Sequence, residues 1–325
     1  MRDENITDSR YVFICGLQRS GTSVLARNIG RLEDCTSFKN TGVLQDEGQY
    51  LQDVYQPDGA YGGTGRYGFD PRAHLTETSR LLTPDNVAKL RKTWHLHWDD
   101  SKAICVEKTP GNLIMTRFLQ AAFPNSYFIV IKRHPVPVSM ATQRWKVSLT
   151  SLHSLFDHWL RCYGLFEEDK TYLKHVYQLS YEDYIKEPAK YHREIASFIG
   201  TTLPEEPLEE VTDAHNKRYF DRWTYLLMYS PFKRYHRYIA RKYEPKFARY
   251  RYSLLASSTA QDEGFCDTTE TSSAVGALYC LGADANALLW RTALQSRWAI
   301  MRQIRARLPE RWKLKIKRLL RKTPL

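Results

Sequence analysis

One stretch constrains this chain more than any other: Tyr11-Val-Phe-Ile-Cys-Gly-Leu-Gln-Arg-Ser-Gly-Thr-Ser-Val-Leu-Ala-Arg-Asn-Ile29. Its first five residues are apolar and largely β-branched or aromatic, the pattern of a buried strand. Its last residues, from Val24 to Ile29, place apolar side chains at helical spacing. Between them lies Gly16-Leu-Gln-Arg-Ser-Gly-Thr-Ser23, a loop with a glycine at its start and another before the helix. A strand, a glycine-bounded loop and a helix N-terminus together form an anion site, because backbone N–H groups and the helix dipole converge there. An ordinary glycine turn is the competing reading, and the rest of the chain decides between them.

The spacing Gly-x4-Gly matches the first part of a Walker A loop, but its sequel does not. Thr22 and Ser23 stand where a nucleotide triphosphatase needs Lys and then Ser or Thr, and the cation sits inside the loop as Arg19. This arrangement resembles the 5′-phosphosulfate loop of sulfotransferases, which bind 3′-phosphoadenosine 5′-phosphosulfate (PAPS) and need no metal. The resemblance implies that Arg19, Ser20, Gly21, Thr22 and Ser23 hold the 5′-phosphosulfate. It is similar in its loop to the tyrosylprotein and carbohydrate sulfotransferases and, over about residues 10–254, to the bacterial-type group.

The other signatures come in order along the chain. Asp46 and Glu47 are adjacent carboxylates beyond the first helix, the region that supplies the catalytic base in this family; solvation of a loop is the plain alternative. Glu47 lies 28 positions after Arg19, an interval similar to that of carbohydrate sulfotransferases with a Glu base. Residues 57–71 are rich in Gly and Tyr, lack a strand or helix period, and read as a long loop, either one that covers a site or contacts substrate or solvent-exposed filler. Thr83-Pro84 offers a helix cap followed by Pro at the first helical position, predicting a helix to about Trp98. His95 and His97 on it cannot face the same side, which argues against a shared metal.

A second buried strand, residues 103–108, ends in Glu107-Lys108, and in open α/β sheets function collects beyond the carboxyl ends of strands. The resemblance gives Lys108 the role of stabilising charge on the departing phosphosulfate bridge. The His base of soluble sulfotransferases would come two residues later, where this chain has Pro110, so the base role returns to Glu47. A helix is expected over about 113–123, then the most apolar strand, residues 127–133, closed by His134-Pro135. Arg133 there resembles the residue that holds the 3′-phosphate. The family's helical serine eight residues on is Ala141 here, leaving Thr142 or Ser139 as the hydroxyl, Thr142 ranked first. A helix is read over 148–166, and Tyr181 in the Tyr-Glu-Asp turn after a further strand is expected to pack near the adenine.

The net charge of +12 divides unevenly. Residues 291–322 carry +11 and the remainder +1, which argues against a nucleic-acid-binding body. No apolar run approaches a membrane span, the N-terminus lacks a signal-peptide core, and six irregularly spaced cysteines suit a reduced, cytoplasmic protein. The expected fold is α/β, a mostly parallel central sheet flanked by helices in a P-loop-like arrangement, with a helical C-terminal extension. Residues 1–254 form the catalytic domain, 255–284 a polar linker and 285–325 a basic amphipathic tail. In that tail a Trp and Leu stripe with Arg opposite is the form of a membrane-surface segment, or of a face packed on the body or a second subunit.

The function expected is transfer of a sulfuryl group from PAPS to an acceptor hydroxyl, with Glu47, Lys108 and Arg19 as the catalytic residues. Arg133, Ser139, Thr142 and Tyr181 join the loop in binding the nucleotide, and no metal takes part. A P-loop kinase is the first alternative, and would need the missing Walker lysine and Mg²⁺ ligands. A non-catalytic module on anionic membranes is the second.

Overall fold

A computed structural model describes residues 9–145, 150–211, 216–255 and 285. Apart from Leu255 and Ala285, the linker and tail readings, with Cys266 and Cys280, fall outside the described residues. Five parallel strands, β1 (Arg10–Cys15), β2 (Cys35–Ser37), β3 (Ile104–Lys108), β4 (Ser126–Lys132) and β5 (Val176–Ser180), lie in the order β2-β3-β1-β4-β5. The connections are helical: α1 (Thr22–Ile29), α2 (Pro84–His95), α3 (Thr116–Ala122), α4 (Pro135–Trp145), α5 (Leu152–Asp169), α6 (Tyr181–Tyr184), α7 (Pro188–Ile199), α8 (Asn216–Met228) and α9 (Lys233–Ala248). This is the α/β architecture expected, with every strand pair parallel.

The central strands are apolar throughout because both faces are covered. Tyr11, Phe13, Phe128 and Val130 point to one side, where they meet Trp94, Phe118, Trp159, Trp223 and Phe247 from α2, α3, α5, α8 and α9. Val12, Ile14, Ile129 and Ile131 point to the other, against Leu25 and Ile29 of α1 and Ile195 and Ile199 of α7. Each fully buried side chain of this size stabilises the fold by about 1.5–3 kcal/mol, and their alternation fixes the strand register.

Three local differences from the sequence reading have plain causes. The Thr83 hydroxyl caps α2 by accepting from Asn86 N at 3.2 Å, as expected, but the helix stops at His95. The helix expected over 113–123 is divided, with a 3₁₀ turn at Pro110–Ile114 before α3. The helix expected from 148 starts at Leu152, because Ser151 takes the cap position and accepts from Ser154 N.

Strand order determines where a ligand can sit. From β1 the chain moves to one side for β2 and β3, then crosses to the other for β4. The carboxyl end of β1 is therefore a topological switch point, the crevice where α/β sheets hold ligands. The ends of β3 and β4, with Lys108 and Arg133, flank it.

Candidate active site

The loop after β1 is shaped by positions that tolerate no side chain. A Cβ on Gly16 would come 2.5 Å from the Ile131 carbonyl, and one on Gly21 would strike the Tyr181 ring at 2.6 Å. Gly21 has φ +94° and Arg19 φ +72°, so the chain reverses through two left-handed residues before α1. No side chain caps the first turn of α1 and no acid stands in it, which leaves its N-terminal dipole directed at the loop. Ser20 and Thr22 are buried and Ser23 faces Gln45. Burial lowers the Arg19 guanidinium from its ordinary value.

Beside this loop stands a buried ion pair. Lys108 Nζ donates to Glu47 Oε1 at 3.1 Å and to the Gln45 carbonyl at 3.1 Å, with both charged residues only 7% exposed. Gln45 and Asp46, immediately before Glu47, both adopt positive φ, 58° and 50°. That twist sends the two adjacent carboxylates apart. Asp46 accepts from the Thr41 N–H at 2.8 Å and hydroxyl at 2.6 Å, and Glu47 turns inward to Lys108.

The segment is held from below by Glu107, which is fully buried. Its carboxylate accepts from Gly48 N at 2.9 Å, from the Thr109 hydroxyl at 2.6 Å and from Asn112 Nδ2. Burial pushes the carboxyl up to about 7, against the opposing pull of those donors and Lys108. Trp94 Nε1 donates to the Gly48 carbonyl at 3.0 Å, so this glycine is gripped on both sides. A Cβ there would lie 2.5 Å from Glu107 Oε1.

On the other flank Arg133, 6% exposed, donates to two uncharged oxygen acceptors, with the Glu182 carboxylate in electrostatic reach. Nε and Nη2 donate to Asn216 Oδ1 at 3.1 and 2.5 Å, and Nη1 donates to the Arg19 carbonyl at 2.7 Å. Its guanidinium lies 4.1 Å from the Tyr181 ring centroid, a cation–π contact. The same ring packs against Gly21, so loop, β4 end and the turn after β5 meet at one point. Next to it, burial pushes Glu182 up, while its carboxylate accepts from His134 N at 2.9 Å. Burial also lowers the His134 imidazole to about 4.

Residues 11–205 match the family model described as sulfotransferase family. The chain belongs to that family. Among solved structures it is similar to sulfotransferase STF9 from Mycobacterium avium (13% identity, 75% of this chain, 76% of that one, TM-score 0.46). It is also similar to sulfotransferase STF1 from Mycobacterium tuberculosis H37Rv (16% identity, 62% and 70%, TM-score 0.41). A third is retinol dehydratase in a complex with retinol and PAP (15% identity, 63% and 65%, TM-score 0.32). No curated protein sequence matches.

In this sulfotransferase the structure brings Arg19, Arg133 and Tyr181 to one side of the switch point and Glu47 with Lys108 to the other. Ser139 and Thr142 stand on α4, where with Leu17 and Gln18 of the loop, Gly65 and His158 they line a small pocket. The Thr142 hydroxyl donates to the Val138 carbonyl at 2.7 Å, whereas Ser139 Oγ is buried with no hydrogen-bond partner among the described residues. Sequence reasoning missed Asn216, Glu107 as an anchor, and the pair Gln18–Asp58, whose side chains bond at 2.7 Å. Among the described residues, no cluster of three or more His, Cys, Asp or Glu is placed to hold a metal. No described helix is long and apolar enough to cross a membrane.

Proposed function

We propose that this sulfotransferase uses PAPS and transfers its sulfuryl group to an acceptor hydroxyl by in-line displacement. The observation that carries the reading is the buried Glu47–Lys108 pair beside the glycine-bounded loop, because it combines a proton acceptor with a cation at the switch point. The acceptor oxygen attacks sulfur while the bond from sulfur to the bridging phosphate oxygen breaks. Glu47 takes the acceptor proton, and adenosine 3′,5′-bisphosphate leaves. Arg19 and Lys108 stabilise charge growing on the sulfuryl and bridging oxygens, which is where such transfers gain most.

Backbone amides of residues 19–23, with Ser20, Gly21, Thr22 and Ser23, hold the 5′-phosphosulfate. Arg133 holds the 3′-phosphate, and Tyr181 packs near the adenine. Of the two α4 hydroxyls, Ser139 is the better second ligand, since that of Thr142 is already spent on Val138. Between the adjacent acids, Glu47 is the better base, since Asp46 is committed to Thr41. The cation roles fall to side chains, and the reading needs no metal. The catalytic unit is residues 1–254, with 255–284 as linker and 285–325 as a basic amphipathic segment that contacts anionic membrane from a cytoplasmic location. Flotation with anionic liposomes unchanged on removing residues 285–325 would remove that contact.

The acceptor class is a hydroxyl on a carbohydrate, glycolipid or other small molecule. The decisive test is calorimetric titration in EDTA with adenosine 3′,5′-bisphosphate, 5′-AMP and ATP. Preference for the bisphosphate is expected. No binding, or a preference for ATP that requires Mg²⁺, would overturn the reading in favour of a kinase.

A further inference from the structure

Both oxygens of Glu47 are engaged, and the second one is held by a residue with no part in the transfer chemistry itself. Gln49 Nε2 donates to Glu47 Oε2 at 2.6 Å. The same amide's Oε1 accepts from the Asp58 N–H at 2.9 Å, where the 57–71 loop begins. Because Asp58 N can only donate, the amide orientation is fixed: its oxygen faces Asp58 and its nitrogen faces Glu47. Gln49 is 3% exposed, and its own backbone N–H donates to the Thr109 hydroxyl at 3.3 Å, just beyond β3. Asp58 in turn accepts from Gln18 of the anion loop at 2.7 Å.

We propose that Gln49 is the positioning residue for Glu47, holding its carboxylate toward the acceptor side in a register set by the 57–71 loop. The inference rests on the reading of Glu47 as base. Its physical basis is the division of labour on one carboxylate. Lys108 holds Oε1, but its charge is also needed at the bridging oxygen during transfer. A neutral donor on Oε2 keeps the carboxylate oriented when that attraction is shared. Glutamine alone combines the neutral donor for Glu47 with an acceptor for Asp58 at this reach; glutamate would set two carboxylates side by side, and asparagine falls one methylene short.

The test uses Gln49→Met, which keeps volume and loses both hydrogen bonds, in wild-type and Glu47→Gln backgrounds. Turnover is read as release of adenosine 3′,5′-bisphosphate from PAPS with water as the acceptor. Q49M should lower kcat on the order of tenfold to a hundredfold. It should also move the acidic limb of the pH–rate profile upward, because a donor to the charged form is lost. Bisphosphate affinity should stay within about twofold, since a change distant from the nucleotide is worth only a few tenths of a kcal/mol. In the E47Q background Q49M should add no further loss. Independently of turnover, the carboxylate infrared band identified by its absence in E47Q should shift in Q49M. An unmoved band, or an equal loss in both backgrounds, would overturn the positioning role and leave the base reading standing. Full activity in E47Q would remove both.

Discussion

The two flanks of the switch point solve opposite problems. On the β4 side, Arg133 donates to the Asn216 side-chain carbonyl and the Arg19 backbone carbonyl, two uncharged oxygens that orient the guanidinium, with the Glu182 carboxylate in electrostatic reach. On the β3 side, Lys108 is neutralised directly by Glu47, and its pair is buried. In the proposed reading the first flank receives an anion, and the second is a balanced pair that responds when a new negative charge arrives. Desolvating two charges offsets most of their mutual attraction, so such a pair adds little net stability over an apolar replacement, although removing one partner alone is costly.

The contrast gives a ranked set of expectations. The largest effect should come from Lys108→Ala and Glu47→Gln, which should lower turnover about 10²–10³-fold while calorimetry finds bisphosphate affinity nearly unchanged. Loss of affinity in step with turnover would merge the two flanks into one. Arg133→Ala should do the converse, weakening bisphosphate binding about 100-fold, the scale for deleting one member of a buried charged contact. Retained affinity in that variant would show that the receptor lies elsewhere.

Next in size is a pH effect on stability. Glu107 is pushed up to about 7 by burial, from an ordinary value of 4.5. Between those values the folded state binds the proton and the unfolded state does not, so stability falls as pH rises through the window, by about 3 kcal/mol. Glu107→Gln should flatten that slope in denaturant titrations between pH 4.5 and 7; an unchanged slope would assign it to other groups. The smallest effect should separate the two α4 hydroxyls. Thr142→Val loses only a bond to its own helix and should change bisphosphate affinity by about twofold or less, the scale of a few tenths of a kcal/mol. Ser139→Ala should cost more, and the reverse order would exchange their assignments.

The receptor flank was the more legible in sequence, and the reason is local. Strands β1 and β4 are continuous apolar runs, and the glycine loop and Arg133 come directly after them, so motif and placement could be read together. The expected helix cap at Thr83 was legible for the same reason. Asn216 was not, because it meets Arg133 across 83 positions of sequence and sits in a segment readable only as basic and aromatic. The balanced flank was legible only as a choice between Asp46 and Glu47. What separates them is a pair of left-handed residues, Gln45 and Asp46, and a grip on Gly48 by Glu107 and Trp94. Neither leaves a periodic trace. Strand β3 announced itself by its apolar residues, but the same pattern could not show that Glu107 turns inward to anchor a turn 59 positions earlier.

The pairing of β1 with β4 sets Cys15 opposite Val130, one residue before Gly16 and three before Arg133. Strand register thereby acts as a ruler between the glycine-bounded loop and the Arg133 guanidinium, the two groups proposed to receive the two phosphates. A slip of one residue would move Arg133 by about 3.3 Å and turn it to the opposite face of the sheet. The same apolar alternation that forbids the slip for reasons of burial also guards the spacing between loop and guanidinium, so on the proposed reading one contact surface rejects errors in folding and errors in ligand selection alike.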